Sequence, residues 1–149
     1  MTSETIPIAS DHAGFELKAS LAARLRAMGY EVADLGTDSD DSTDYPDYAH
    51  PLARRVSDGE ARRGVLLCGT GLGMSYVANR YPGVRAGVAW SPEVAALARR
   101  HNDANVLVLP ARFVSADEAE AILRAFLETG FEGGRHERRV EKIEREAVR

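Results

Sequence analysis

The sequence predicts an α/β fold: a Rossmann-like, three-layer α/β/α arrangement with a five-stranded parallel sheet and an added C-terminal tail helix. Three observations predict it. Strand-type apolar runs alternate with helical periodicities five times along the 149 residues. The central run, Val65 to Leu67, is apolar throughout, as a strand covered on both faces must be. That run breaks directly into Cys68-Gly69-Thr70-Gly71-Leu72-Gly73 and then into a second helical stretch. A glycine-rich strand-to-helix turn is how doubly wound sheets present a ligand site. The length fits a single domain, residues 1–149, with a proper core.

The elements follow in order. Residues 6–10 read as a short first strand in which Pro7 removes one ladder donor. Asp11-His12-Ala13-Gly14 is a tight turn, and Asp11 can cap the coming helix. Leu17, Leu21, Leu25 and Met28 recur at helical spacing until Gly29 ends the run. Residues 30–35 form a second strand. Residues 36–48 are a loop carrying Asp38, Asp40, Asp41, Asp44 and Asp47 without Lys or Arg. The loop lacks the Asp-x-Asp-x-Asp-Gly pattern of a calcium site, so a solvated loop is expected. Within it, Thr43-Asp44-Tyr45-Pro46 sets an aromatic beside a rigid proline, ahead of a helix over 47–58.

After the central strand and the Cys68 turn, a helix is expected over 74–81 and a fourth strand over 84–89. Ser91 caps a helix whose first turn holds Pro92 and which runs into Arg99-Arg100-His101-Asn102-Asp103. Residues 104–109 are the fifth strand. Ser115 caps the next helix, with Ala119, Ile122, Leu123, Phe126 and Leu127 on one face. The tail, 134–149, starts a helix of alternating charge. Its apolar positions Val140, Ile143 and Ala147 are too few for a monomer's core, so it is expected to pack on a partner subunit. Arg135 and Arg139 stand i and i+4, on one face, where they could grip one phosphate or simply pair with glutamates in solvent.

Composition narrows the function. A net charge of −4 gives no reason to expect nucleic acid as a partner. No apolar run approaches the ~20 residues of a membrane span. Met1-Thr2-Ser3-Glu4-Thr5 has neither the basic nor the apolar region of a signal peptide, and the one cysteine cannot form an internal disulfide. A cytoplasmic setting is expected.

Cys68 sits at the lip of the glycine turn, where backbone N–H groups converge without Cβ interference. An anion or a developing oxyanion would be stabilised there, and a reactive thiolate is well placed there. The plainer alternative is a small buried hydrophobe beside a structural turn. Asp11 and His12 lie at the carboxyl end of the first strand, where open α/β sheets bind ligands.

The ordered set of motifs resembles the ribose-5-phosphate isomerase B family of sugar-phosphate isomerases. The matching elements are Ser10-Asp-His-Ala-Gly14, Gly36-Thr37, Thr43-Asp-Tyr-Pro46, Cys68-Gly-Thr-Gly-Leu-Gly73, Ala78-Asn79, His101-Asn-Asp103, Asn105-Val-Leu107, Arg112 and Glu132-Gly-Gly-Arg-His136. The resemblance implies metal-free, cofactor-free interconversion of a phosphorylated aldose and its ketose through a cis-enediolate. It makes Cys68 the base, because Met74 stands where some members carry a glutamate. It gives the N–H groups of Gly69, Gly71, Leu72 and Gly73 to the enediolate, and Thr70 to a proton relay between the oxygens. His101 would open the furanose ring and Asn102 bind hydroxyls. Asp11 and Tyr45 would contact the sugar, and His12, Arg112, Arg135 and Arg139 would clamp the phosphate. It also implies a homodimer, or a dimer of dimers, with active sites shared between subunits. Two other functions compete: an isomerase of a six-carbon phosphosugar, and a non-catalytic nucleotide-binding module on the same fold.

Overall fold

The computed structural model describes residues 3–145. Ala147, the last apolar position of the tail, lies outside them. The strands are β1 (Thr5–Ser10), β2 (Glu31–Asp34), β3 (Gly64–Cys68), β4 (Ala86–Val88) and β5 (Val106–Pro110). The helices are α1 (Phe15–Ala27), α2 (Tyr45–Ser57), α3 (Leu72–Ala78), α4 (Pro92–Asn102), α5 (Ala116–Glu128) and α6 (Arg135–Arg145). All strand pairings are parallel, in the order β2-β1-β3-β5-β4.

Strand alternation divides the core into two layers. Ile6, Ile8, Val65, Leu67, Leu107 and Leu109 pack with α1 and α5 on one face. Ala9, Leu66, Cys68, Val106 and Val108 pack with α2 and α3 on the other. The three-layer expectation therefore holds. Pro7 is tolerated because the β1–β3 pairing begins one residue later, at Ile8 opposite Val65. The expected face of α5 is buried residue for residue, from Ala119 to Leu127. Its Ser115 cap is a full capping box with Glu118, and Ser91 Oγ accepts from Val94 N–H at the start of α4.

Several boundaries differ from expectation. α2 starts at Tyr45 rather than at 47, because Pro46 fits a first helical turn whose N–H groups have no intrahelical partner. α3 starts at Leu72 rather than at 74, so Leu72 and Gly73 belong to the helix. β4 is only three residues long, and Asn79 takes over part of its edge. The Asn79 side chain donates to Ala86 O and accepts from Ala86 N–H. Lys18 is buried on α1, where its ammonium lies 2.7 Å from Asp34 Oδ1. Asp34 Oδ1 also accepts from Gly36 N–H, which fixes the chain as it leaves β2. Among the described residues no helix is long and apolar enough to cross a membrane.

Candidate active site

A parallel sheet has two unlike edges. Every strand points its carboxyl end to one edge, and each following helix runs back to the other. The chain reverses its winding between β1 and β3, so the crevice at their carboxyl ends is the natural ligand site. Two groups of the expected residues sort onto these two edges.

At the carboxyl edge, Cys68 ends β3 and is nearly buried. Gly71, in the left-handed region at φ 82°, lets the chain turn from strand to helix. The N–H of Leu72 is taken by Thr70 Oγ1 at 3.2 Å. The N–H groups of Gly69, Gly71 and Gly73 have no hydrogen-bond partner among the described residues. Asp11 follows β1, and its N–H reaches Leu67 O on β3. Its carboxylate accepts from Ala13 and Gly14 N–H, so the expected cap is present, though on a short 3-10 turn before α1.

His12 is held by a reciprocal pair. Its N–H donates to Thr43 Oγ1, and its Nδ1 accepts from Thr43 N–H at 3.1 Å. A neutral His12 must therefore carry its proton on Nε2, away from Thr43. The Tyr45 ring lies on Gly73: a Cβ there would sit 2.6 Å from Tyr45 Cε1. Arg112 follows β5 and lies over Gly69, where a Cβ would come 3.2 Å from its Nη1. Cys68, Gly69, Thr70, Gly71, Leu72, Gly73, Asp11, His12, Tyr45 and Arg112 thus share one edge.

The Tyr45–Gly73 contact yields a prediction. Gly73→Ala should displace the Tyr45 ring and lower kcat/KM by about 10–100-fold, the scale of a ~1 Å misplacement of a positioning group. Stability should barely move, because alanine gains up to about 1 kcal/mol over glycine inside a helix. Kinetics and a thermal melt on one preparation check both parts; a large fall in Tm would make Gly73 a packing residue instead.

His101, Asn102, Arg135 and Arg139 lie at the other edge. α4 starts after β4 and returns over its 11 residues, about 16 Å at 1.5 Å per residue. It delivers Asn102 to Asp103, whose backbone oxygen accepts from Arg85 Nε just before β4. Asn105 then donates to Arg85 O and accepts from Gly64 N–H at the start of β3. The four steps along β3 from Gly64 to Cys68 span ~13 Å at 3.3 Å each. One chain therefore does not bring His101 to its own Cys68. Asn102 lines a cleft of about 380 Å³ with Ala98, Ala104, Ile143 and Glu144.

The tail joins this second group. α6 packs on α4 through His136, which the charged run around it concealed in the sequence. The His136 ring stacks on His101 with centroids 4.3 Å apart and planes 16° off parallel. Arg135 and Arg139 are exposed on the same helix. Ile143 is half exposed, in keeping with a tail whose apolar stripe is incompletely used within one chain. His101, Glu132 and His136 bring potential metal ligands within 4.8 Å of one another. Stacked imidazoles hold their lone pairs in near-parallel planes, however, and two such planes cannot both contain one ion. The trio as folded does not suit a metal.

Comparison with known proteins agrees with this arrangement along almost the whole chain. Residues 6–143 match the model of the Ribose/Galactose Isomerase family. Ribose-5-phosphate isomerase B of Escherichia coli is 47% identical over 138 residues, 93% of each chain. The crystal structure of a ribose 5-phosphate isomerase from Thermotoga maritima superposes with a TM-score of 0.94 at 53% identity, covering 97% of this chain and 99% of that one. Ribose-5-phosphate isomerase B from Mycoplasma genitalium, solved with bound ribulose-5-phosphate, gives 0.93 at 44% identity, covering 97% of each. A doubly wound sheet with a cysteine-glycine turn at its switch point, matched over this length, identifies the chain as a member of the Ribose/Galactose Isomerase family.

Proposed function

We propose that the protein interconverts ribose 5-phosphate and ribulose 5-phosphate. The observation that carries this reading is the Cys68 turn at the sheet's switch point, in a chain that matches a ribulose-5-phosphate-bound relative over 97% of its length. In the reaction, His101 protonates the ring oxygen as the C1–O4 bond breaks, and the O1 hydroxyl gives its proton to water as the C1 carbonyl forms. The Cys68 thiolate then removes the C2 proton of the open aldose. The unpartnered N–H groups of the glycine turn stabilise the charge that develops on the enediolate oxygens. Thr70, whose oxygen accepts from Leu72 N–H, keeps its hydroxyl proton free to carry a proton from O2 to O1. Cys68 returns the abstracted proton to C1, and the ketose forms without any external redox partner. Asp11, Tyr45 and Asn102 hold the hydroxyls; His12, Arg112, Arg135 and Arg139 hold the phosphate.

The split of these residues between two sheet edges supports a homodimer in which His101, Asn102, Arg135 and Arg139 of one subunit complete the Cys68 site of the other. The single free thiol, and a phosphorylated substrate that does not cross membranes unaided, support a cytoplasmic setting.

The purified protein should convert ribose 5-phosphate to ketose, with weaker turnover on allose 6-phosphate and galactose 6-phosphate. Turnover confined to six-carbon substrates would move the assignment within the family, and turnover on none would overturn it. Arg135→Ala and Arg139→Ala should mainly raise KM, by roughly 10–100-fold, the worth of a hydrogen bond to a charged group. On unphosphorylated ribose the same variants should behave as wild type; equal losses on both sugars would make these arginines structural.

A further inference from the structure

The feature that the reaction leaves unused is the stacked pair His101–His136. A catalytic histidine is normally aimed by a hydrogen bond to its second ring nitrogen, from a carboxylate or a carbonyl. Neither ring nitrogen of His101 makes such a bond among the described residues. What holds its ring is the face of His136, 4.3 Å away and 16° from parallel. His136 is itself immobilised. It is 6% exposed, at the first turn of α6, with its N–H bonded to Gly133 O. Its Nε2 lies 3.3 Å from Glu132 Oε1, but out of line for a hydrogen bond, and has no other partner among the described residues. Glu132 in turn donates its N–H to Arg100 O, beside His101 on α4. The loop between α5 and α6 and the end of α4 therefore close on each other around the two rings.

We infer that His136 is a positioning residue for the reaction, its buried ring fixing the plane of His101 by stacking so that His101 meets the ring oxygen of the sugar in the facing half-site. This inference rests on the isomerase reading. It accounts for a buried nitrogen left unpaired, which costs about 1–3 kcal/mol and would be removed by any apolar residue if packing alone mattered. It also separates the tail's two tasks. Arg135 and Arg139 are exposed and offer charge, whereas His136 between them points inward and offers a flat surface.

The test uses the full-length enzyme. His136→Ala should lower kcat about 10–100-fold, the scale of a misplaced catalytic group, with KM within twofold. His136→Phe keeps a stacking face and should recover most of that loss. Introduced beside His101→Ala, His136→Ala should cost less than about twofold, since the group that it positions is gone. Co-refolded with Cys68→Ala chains, His136→Ala chains should regain activity; co-refolded with His101→Ala chains they should not. A wild-type kcat for His136→Ala, or a full additional loss beside His101→Ala, would overturn the inference. So would a Phe variant as impaired as the Ala variant while melting at the wild-type temperature. Wild-type protein without isomerase activity would instead overturn the functional reading beneath it.

Discussion

Cys68→Ala should abolish nearly all turnover, by 10²–10⁴-fold, while phosphosugar binding and the fold persist. Cys68 is the one cysteine of the chain and stands at the carboxyl end of β3, at the switch point of the sheet. Met74, the third residue of α3, which stands where some members of the resembling family carry a glutamate, is fully buried and carries no titratable group. Removing Sγ leaves a hole the size of one small atom, so the packing cost is modest beside the kinetic loss. The variant should melt close to wild type and still bind ribulose 5-phosphate, measured by calorimetry. A kcat within a few-fold of wild type would remove Cys68 from the mechanism. Alkylation of the wild-type thiol by iodoacetamide should give the same inactive state, more slowly when phosphosugar is bound.

The sequence discloses those features whose physics is local. Apolar runs and period-3.6 patterns placed all five strands and six helices, and the serine caps at 91 and 115 marked two helix starts to the residue. Errors arose where a local rule had an exception. Proline discourages a helix before it, yet Tyr45-Pro46 sits inside the first turn of α2, where that rule lapses. Glycine discourages a helix interior, yet Gly73 belongs to α3, because a side chain there would strike the Tyr45 ring. These two misplaced boundaries, Tyr45 and Leu72, fall at the candidate site.

What the sequence could not disclose is set by topology. Nothing local says that β5 enters the sheet between β3 and β4. The burial of His136 was equally hidden, because Arg135, Glu137, Arg138 and Arg139 around it are all exposed and the run reads as a solvated helix. The resemblance implies sites shared between subunits, but spacing and periodicity alone do not place these residues at two sheet edges; that placement comes from following chain direction through β4, α4 and β5. The motif order in the sequence, with His101 33 positions after Cys68, carries no sign of it.

That division has the most demanding consequence. Cys68→Ala and His101→Ala should each be nearly inactive alone, yet regain activity when co-refolded. In a closed two-fold dimer, each site would take its Cys68 turn from one subunit and its His101 from the other. A mixed dimer then has one site carrying both lesions and one site wholly wild type. Random pairing makes about half of the dimers mixed, and each has one working site of two, so roughly a quarter of wild-type activity should return. The restored activity should show wild-type KM, because the working site contains no altered residue. If both residues served the same site from one chain, every site in every dimer would carry a lesion, and nothing should return. The geometry argues for the first outcome: about 13 Å of β3 separates the amino edge, where His101 ends α4, from Cys68 at the carboxyl edge. Native mass spectrometry should find mixed dimers at the statistical ratio. Absence of rescue with those dimers present would overturn the shared site and leave the isomerase reading to stand on the Cys68 variant.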